Sequence, residues 1–202
     1  MLTIKQRQEY LKYLGFYKGA IDGIEGVKTK RAYKELQDTY FFRKSDKDGK
    51  YGKNTEKLLL CAYNVKRYSK NFDLKKDKLY CGCKGKYCTG YPAIIEETLM
   101  RDLQAIRDKY GATTVTSMLR CQKYNDSLKG SIKNSKHLKG KAVDFRNLHT
   151  ITLARRKEVI NYWFKLKDPN YAYCNGYYKN NKTSGSKTAK GMGLSVHGDI
   201  KW

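Results

Sequence analysis

Ser135-Lys-His-Leu-Lys-Gly-Lys-Ala-Val-Asp-Phe145 is the stretch on which the reading of this chain turns. Its second half, Lys141-Ala-Val-Asp-Phe145, alternates as a β-strand does, so Val143 and Phe145 face a core and Asp144 projects from the other side. The same period recurs in Leu194-Ser-Val-His-Gly-Asp-Ile200, sending Leu194, Val196 and Ile200 inward and setting His197 and Asp199 together on the opposite face. The chain has only three histidines, and His137 and His197 join Asp144 in a candidate set of two imidazoles and one carboxylate. Three such ligands with a fourth position open to water are how a catalytic zinc is held, in contrast to a closed four-ligand structural site.

Outward from this stretch, Ala93 to Tyr110 reads as a helix with Ile95, Leu99, Leu103, Ile106 and Tyr110 on one face. Pro92 suits its start, Glu96 and Glu97 suit the positive end of its dipole, and Gly111 suits its exit. The β-branched run Thr113-Thr-Val-Thr116 reads as a strand, and Leu153 to Leu166, with Val159, Ile160, Trp163 and Phe164, as another helix. Helices and short strands mix without a βαβ rhythm, which predicts the α+β class. His149 falls at the predicted start of a helix and reads as a solvated or outer-shell residue, so it is left out of the ligand set.

The N-terminal residues 1–64 read as a small three-helix module. Thr3 and Gln6 form a capping box, Tyr10, Leu11 and Leu14 follow, and Gly15 closes the first helix. A repeat follows, Asp22-Gly-Ile-Glu-Gly26 then Thr29, and Asp48-Gly-Lys-Tyr-Gly52 then Thr55, each turn leading into a helix near 27–40 and 53–63. Asp46 and Asp48 do not make a calcium loop, because Lys50 and Lys57 stand where oxygen ligands are needed. Residues 65–72 are polar and basic and read as a linker, which leaves 73–202 as the second domain.

With Gly15-Phe-Tyr-Lys-Gly19, Asp22-Gly23, Gly26, Thr29, Ala32 and Gln37 in order, the module resembles the peptidoglycan-binding domain family. That resemblance implies that the turns present wall-contacting side chains, with Asp22 and Asp48 as candidates, while the glycines build the turns.

In residues 73–202, Ser135-x-His137-x-x-Gly140-x-Ala142-x-Asp144, the upstream Thr116-Ser-Met-Leu-Arg120 and the closing His197-x-Asp199 stand in order. Together they resemble the zinc D-alanyl-D-alanine carboxypeptidase family, which also holds L-alanyl-D-glutamate endopeptidases and many phage endolysins. The resemblance implies a small antiparallel sheet of the Hedgehog and DD-peptidase kind, zinc held by His137, Asp144 and His197, and hydrolysis of an amide by zinc-activated water. It also implies Asp199 as general base and Arg120 as a substrate-facing group that stabilises an oxyanion or grips a carboxylate. Several branches of the family carry an acid three residues before the last histidine, and here that residue is Leu194.

Composition bounds the setting. With 43 Lys and Arg against 19 Asp and Glu, the formal charge of +24 draws the chain to polyanions, among them anionic wall polymers. The basic residues are spread without long runs, and no RNA-recognition or zinc-finger signature accompanies them, which disfavours nucleic acid. The N-terminus lacks the apolar stretch of a signal peptide and no long apolar run suggests membrane insertion; taken with these, the family resemblance implies synthesis in a host cytoplasm, release by a holin and action at the wall. Cys81, Cys83, Cys88 and Cys121 admit three readings: a structural metal site, disulfides formed later, or plain thiols. The expectation is a peptidoglycan hydrolase of the endolysin kind. A non-catalytic wall or spore-coat binder and a basic nucleic-acid-binding protein are the alternatives.

Overall fold

The computed structural model describes residues 1–201. Its first three helices are α1 (Ile4–Leu14), α2 (Val27–Tyr40) and α3 (Lys53–Tyr68), packed through Leu11, Tyr33, Leu36, Leu58 and Leu59, all fully buried. α1 begins as its sequence predicts: Thr3 and Gln6 cap each other's backbone, and Gly15 ends the helix in the left-handed conformation at φ 94°. α3 runs to Tyr68, so residues 65–68, expected in a linker, are its last turn, and Val65 is buried there.

The duplicated turns are duplicated networks. In the first, Gln8 Nε2 donates to Asp22 Oδ1, the Ile24 carbonyl and Thr29 Oγ1, while Gln8 Oε1 accepts from Gly23 N. In the second, Gln37 Nε2 donates to Asp48 Oδ1, the Lys50 carbonyl and Thr55 Oγ1, while Gln37 Oε1 accepts from Gly49 N. Asp22 and Asp48 each also accept from the backbone two residues on, at 2.9 Å in both turns. One buried glutamine per repeat thus satisfies a turn whose backbone has no ladder to join.

The second part consists of α4 (Glu97–Tyr110), β1 (Thr113–Ser117), α5 (Gln122–Asp126), β2 (Ala142–Asn147), α6 (Leu153–Trp163), β3 (Pro169–Cys174), β4 (Tyr177–Asn180), β5 (Ser184–Gly185) and β6 (Val196–Ile200). The strands form one antiparallel sheet in the order β1-β2-β6-β3-β4-β5, so the fold is α+β as predicted. α4 and α6 supply Leu99, Leu103, Ile106, Val159, Ile160 and Trp163 to one side of the sheet, where they meet Val143, Phe145 and Val196. Gly198 lies flat on Trp163, whose Cε2 would stand 2.7 Å from any added Cβ, so this strand position is closed to side chains.

α4 starts four residues later than the sequence suggests, because α3 takes up the backbone before it. Lys57 Nζ donates to the Pro92 carbonyl, the Cys61 thiol to the Ala93 carbonyl, and Asn64 Nδ2 to the Ile95 carbonyl, while Ile95 N donates to Cys61 Sγ. These bonds hold the segment extended where propensity alone favours a helix. One apolar core therefore runs through both parts of the chain.

Candidate metal centre

Three neighbouring strands bring the predicted residues together. In the register of β2 with β6, Asp144 lies opposite His197, and in that of β3 with β6, Tyr173 lies opposite His197. The face away from Trp163 thus carries Asp144, His197 and Tyr173 in a row. His137 reaches the same place from the 3-10 turn Lys136–Lys139, which Gly140 ends at φ 69°. A Cβ on Gly140 would run into the carbonyl of Ile94, and Glu96 N donates to the Gly140 carbonyl at 3.1 Å, so this glycine seats the turn against the extended segment before α4.

The donors fit a metal. Ligand atoms of His137, Asp144 and His197 lie within 4.8 Å of one another, and all three residues are buried. His137 Nδ1 donates to the Met118 carbonyl at 2.7 Å, which leaves Nε2 as the lone-pair nitrogen. That atom is buried without a hydrogen-bond partner and stands 3.4 Å from Asp144 Oδ1, the orphan expected of a metal ligand. His197 places Nδ1 2.7 Å from the same Asp144 oxygen and Nε2 3.2 Å from Asp199 Oδ2.

Electrostatics follow from these contacts. Burial pushes the Asp144 carboxyl up, but the neighbouring His137 and His197 rings, His197 with a hydrogen bond, outweigh it and hold Asp144 well below the usual carboxylate range. Burial lowers His137, only partly opposed by Asp144, which favours the neutral ring that a ligand must be. Burial alone would lower His197 as well, yet its bonds to Asp144 and Asp199 raise it to about 9.

Asp199 and Arg120 each contact a residue of the predicted ligand set. Asp199 stands behind the His197 ring: Oδ2 faces Nε2, while Oδ1 accepts from Asn170 Nδ2 at 2.7 Å and Tyr171 N at 3.0 Å. A carboxylate so occupied fixes a ring and its tautomer instead of reaching toward water on the far side. Arg120 bonds Asp144 Oδ2 at 3.0 Å through Nη2 and Ser117 Oγ through Nε and Nη2, and its backbone N donates to the His137 carbonyl. It therefore braces the second oxygen of the Asp144 carboxylate.

Leu194, expected to point inward, is 46% exposed, because β6 begins only at Val196 after a turn closed by a bond from Ser195 N to the Met192 carbonyl. Asp22 and Asp48, expected to touch the wall, spend an oxygen inside their own turns. His149 pairs with Glu158 at 2.8 Å and packs on Tyr110, apart from the ligand set. Tyr173, whose ring lies 4.7 Å from that of His197, is brought there by the register of β3 on β6.

Comparison with known families agrees with this geometry. Residues 71–163 match the Peptidase M15 family, a span that includes Arg120, His137 and Asp144, and residues 3–59 match a peptidoglycan binding domain. No curated protein and no solved structure matches the chain. The chain thus joins an N-terminal peptidoglycan-binding domain to a C-terminal Peptidase M15 domain.

Proposed function

We propose that this peptidoglycan-acting peptidase is a zinc enzyme of the endolysin kind that cleaves an amide bond in the peptide stem of the bacterial wall. The observation that carries the reading is the buried, unpartnered Nε2 of His137 aimed at Asp144, with His197 on the same carboxylate oxygen. His137, Asp144 and His197 would hold the ion through Nε2, a carboxylate oxygen and Nδ1. Bound zinc supplies a Lewis acid and lowers the pKa of water at its open position.

The chain's own residues prepare that site. The Met118 carbonyl fixes the tautomer of His137, and Asp199 fixes that of His197, a positioning role in place of the general-base role expected from sequence. Arg120, itself oriented by Ser117 Oγ, holds the second Asp144 oxygen, so the carboxylate presents only one oxygen to the ion. Tyr173 covers the His197 ring and limits water on that side. The N-terminal module anchors the enzyme on an insoluble substrate and so raises its effective concentration at the stem peptides. The positive charge adds attraction to anionic wall polymers.

Digestion of purified walls tests the reading. Wild type is expected to release new peptide amino ends, identified by mass spectrometry, and His137→Ala is expected to lose this activity by at least ~100-fold. Full activity in His137→Ala, or fragments carrying newly cut sugar ends, would overturn it.

A further inference from the structure

A second group of ligand atoms lies outside the candidate metal centre. The sulfurs of Cys81, Cys83, Cys88 and Cys121 all fall within 4.8 Å of one another, with Cys83 and Cys88 at 3.4 Å. Four thiolates around one zinc at ~2.3 Å place their sulfurs ~3.8 Å apart, so the observed cluster already has nearly the size of a filled tetrahedron. Cys81 is fully buried, Cys83 and Cys121 are each 9% exposed, and Cys88 is half-buried.

The backbone is arranged for charged sulfur. Cys121 N donates to Cys81 Sγ at 3.2 Å and Gly90 N to Cys88 Sγ at 3.4 Å. Such N–H to sulfur bonds stabilise a thiolate and orient a ligand. The loop that carries three of the cysteines has no helix or strand of its own beyond one bridge between Cys81 and Leu119. It turns tightly instead, with Lys84 at φ 49° and Gly85 at φ 88°, and Lys84 N and Lys86 N bond back to the Cys81 and Cys83 carbonyls. A left-handed lysine is a cost that surrounding structure must offset.

The remaining cysteines show the contrast. Cys61 bonds the backbone of Ala93 and Ile95 alone, and burial pushes its thiol up to about 12, as for an inert core residue.

We propose that Cys81, Cys83, Cys88 and Cys121 form a closed four-thiolate site for a structural zinc ion, separate from the His137, Asp144 and His197 centre. Soft ligands in tetrahedral disposition select zinc over hard cations, and a full complement of protein ligands leaves no position for water or substrate. The ion would tie the cysteine loop to the segment that carries Cys121. The cysteine loop lies on Phe42 of the N-terminal module, which an added Cβ at Gly85 or Gly90 would strike at 2.6 Å and 2.8 Å. Its fourth ligand, Cys121, directly follows Arg120, whose guanidinium braces Asp144. Zinc here would fix the backbone from which Arg120 reaches that carboxylate.

Elemental analysis and cobalt spectroscopy of the full-length protein test this. Wild type is expected to carry about two zinc ions per chain, and His137→Ala about one. Cobalt exchanged into His137→Ala is expected to give the intense thiolate-to-metal charge-transfer absorption of a tetrahedral sulfur site, which a histidine and carboxylate centre does not produce. Cys88→Ser, the least buried of the four, should weaken or shift that absorption while leaving the other ion in place. A His137→Ala protein that folds, holds no metal and exposes reactive thiols at all four positions would overturn the site. So would disulfides among the four, found by mass spectrometry of the protein as purified. Loss of wall-degrading activity in His137→Ala has no bearing on either result, so the two readings stand or fall separately.

Discussion

At the scale of single residues, the candidate centre depends on which ring nitrogen of His197 faces Asp144 and which faces Asp199. Strand alternation is enough to put Asp144 and His197 on one face, since one strand period separates core from site at Val143, Asp144 and Phe145. It cannot say that His197 turns Nδ1 to Asp144 and Nε2 to Asp199, the arrangement on which the proposed positioning role of Asp199 rests. Asp199→Ala is accordingly expected to weaken zinc binding by ~10–100-fold, measured by competition with a chelator. Unchanged zinc affinity with activity abolished would restore the base role. The exact place of Tyr173 likewise depends on how β3 aligns with a strand more than twenty residues away in sequence.

At the scale of elements, local signals did well wherever the backbone satisfies itself. The Thr3 capping box and Gly15 stop define α1, and α2 runs over 27–40 as its pattern predicts. They failed where distant groups take the backbone over, as when Lys57, Cys61 and Asn64 keep residues 92–95 out of α4. The glutamines of the duplicated turns are of the same long-range kind. Gln37→Leu would leave Gly49 N, the Lys50 carbonyl and Thr55 Oγ1 without their shared partner, for an expected loss of roughly 2 to 3 kcal/mol in urea denaturation.

α4 also carries Asp102, only 4% exposed and with Oδ2 buried without a hydrogen bond. Burial foremost, with Asp168 adding to it and the Lys167 backbone opposing it, raises its carboxyl to about 7. The unfolded chain would release that proton near pH ~4, so folding is favoured in acid and the advantage fades as pH rises from ~4 through ~7. Asp102→Asn, which cannot ionise, should match wild type in thermal unfolding below pH ~4 and exceed it at pH ~8. Equal stability at both ends would show that the carboxylate is solvated.

For the whole molecule, charge and family likeness act on different questions. A net charge of +24 says that polyanions attract the chain, and only the module at residues 3–59 says which polymer it meets. Retention on purified walls should therefore fall as salt shortens the screening length from ~10 Å at ~0.1 M to ~3 Å at ~1 M, while a residual, salt-resistant fraction reports the module itself. Complete loss of binding at high salt would mean that charge alone holds the protein to the wall. Among the described residues, no helix is long and apolar enough to cross a membrane.

The bonds from α3 to the chain before α4 bear on how such an enzyme can be re-engineered. Cutting after residue 64 would divide α3, and removing the helix whole would strip Lys57, Cys61 and Asn64 from the carbonyls of Pro92, Ala93 and Ile95. The same short stretch receives Gly140 at the end of the turn that carries His137. A chimera that grafts a foreign binding head onto this catalytic half must therefore bring its own replacement for the inner face of α3. The wall-binding head and the seating of His137 are, in this architecture, inherited together.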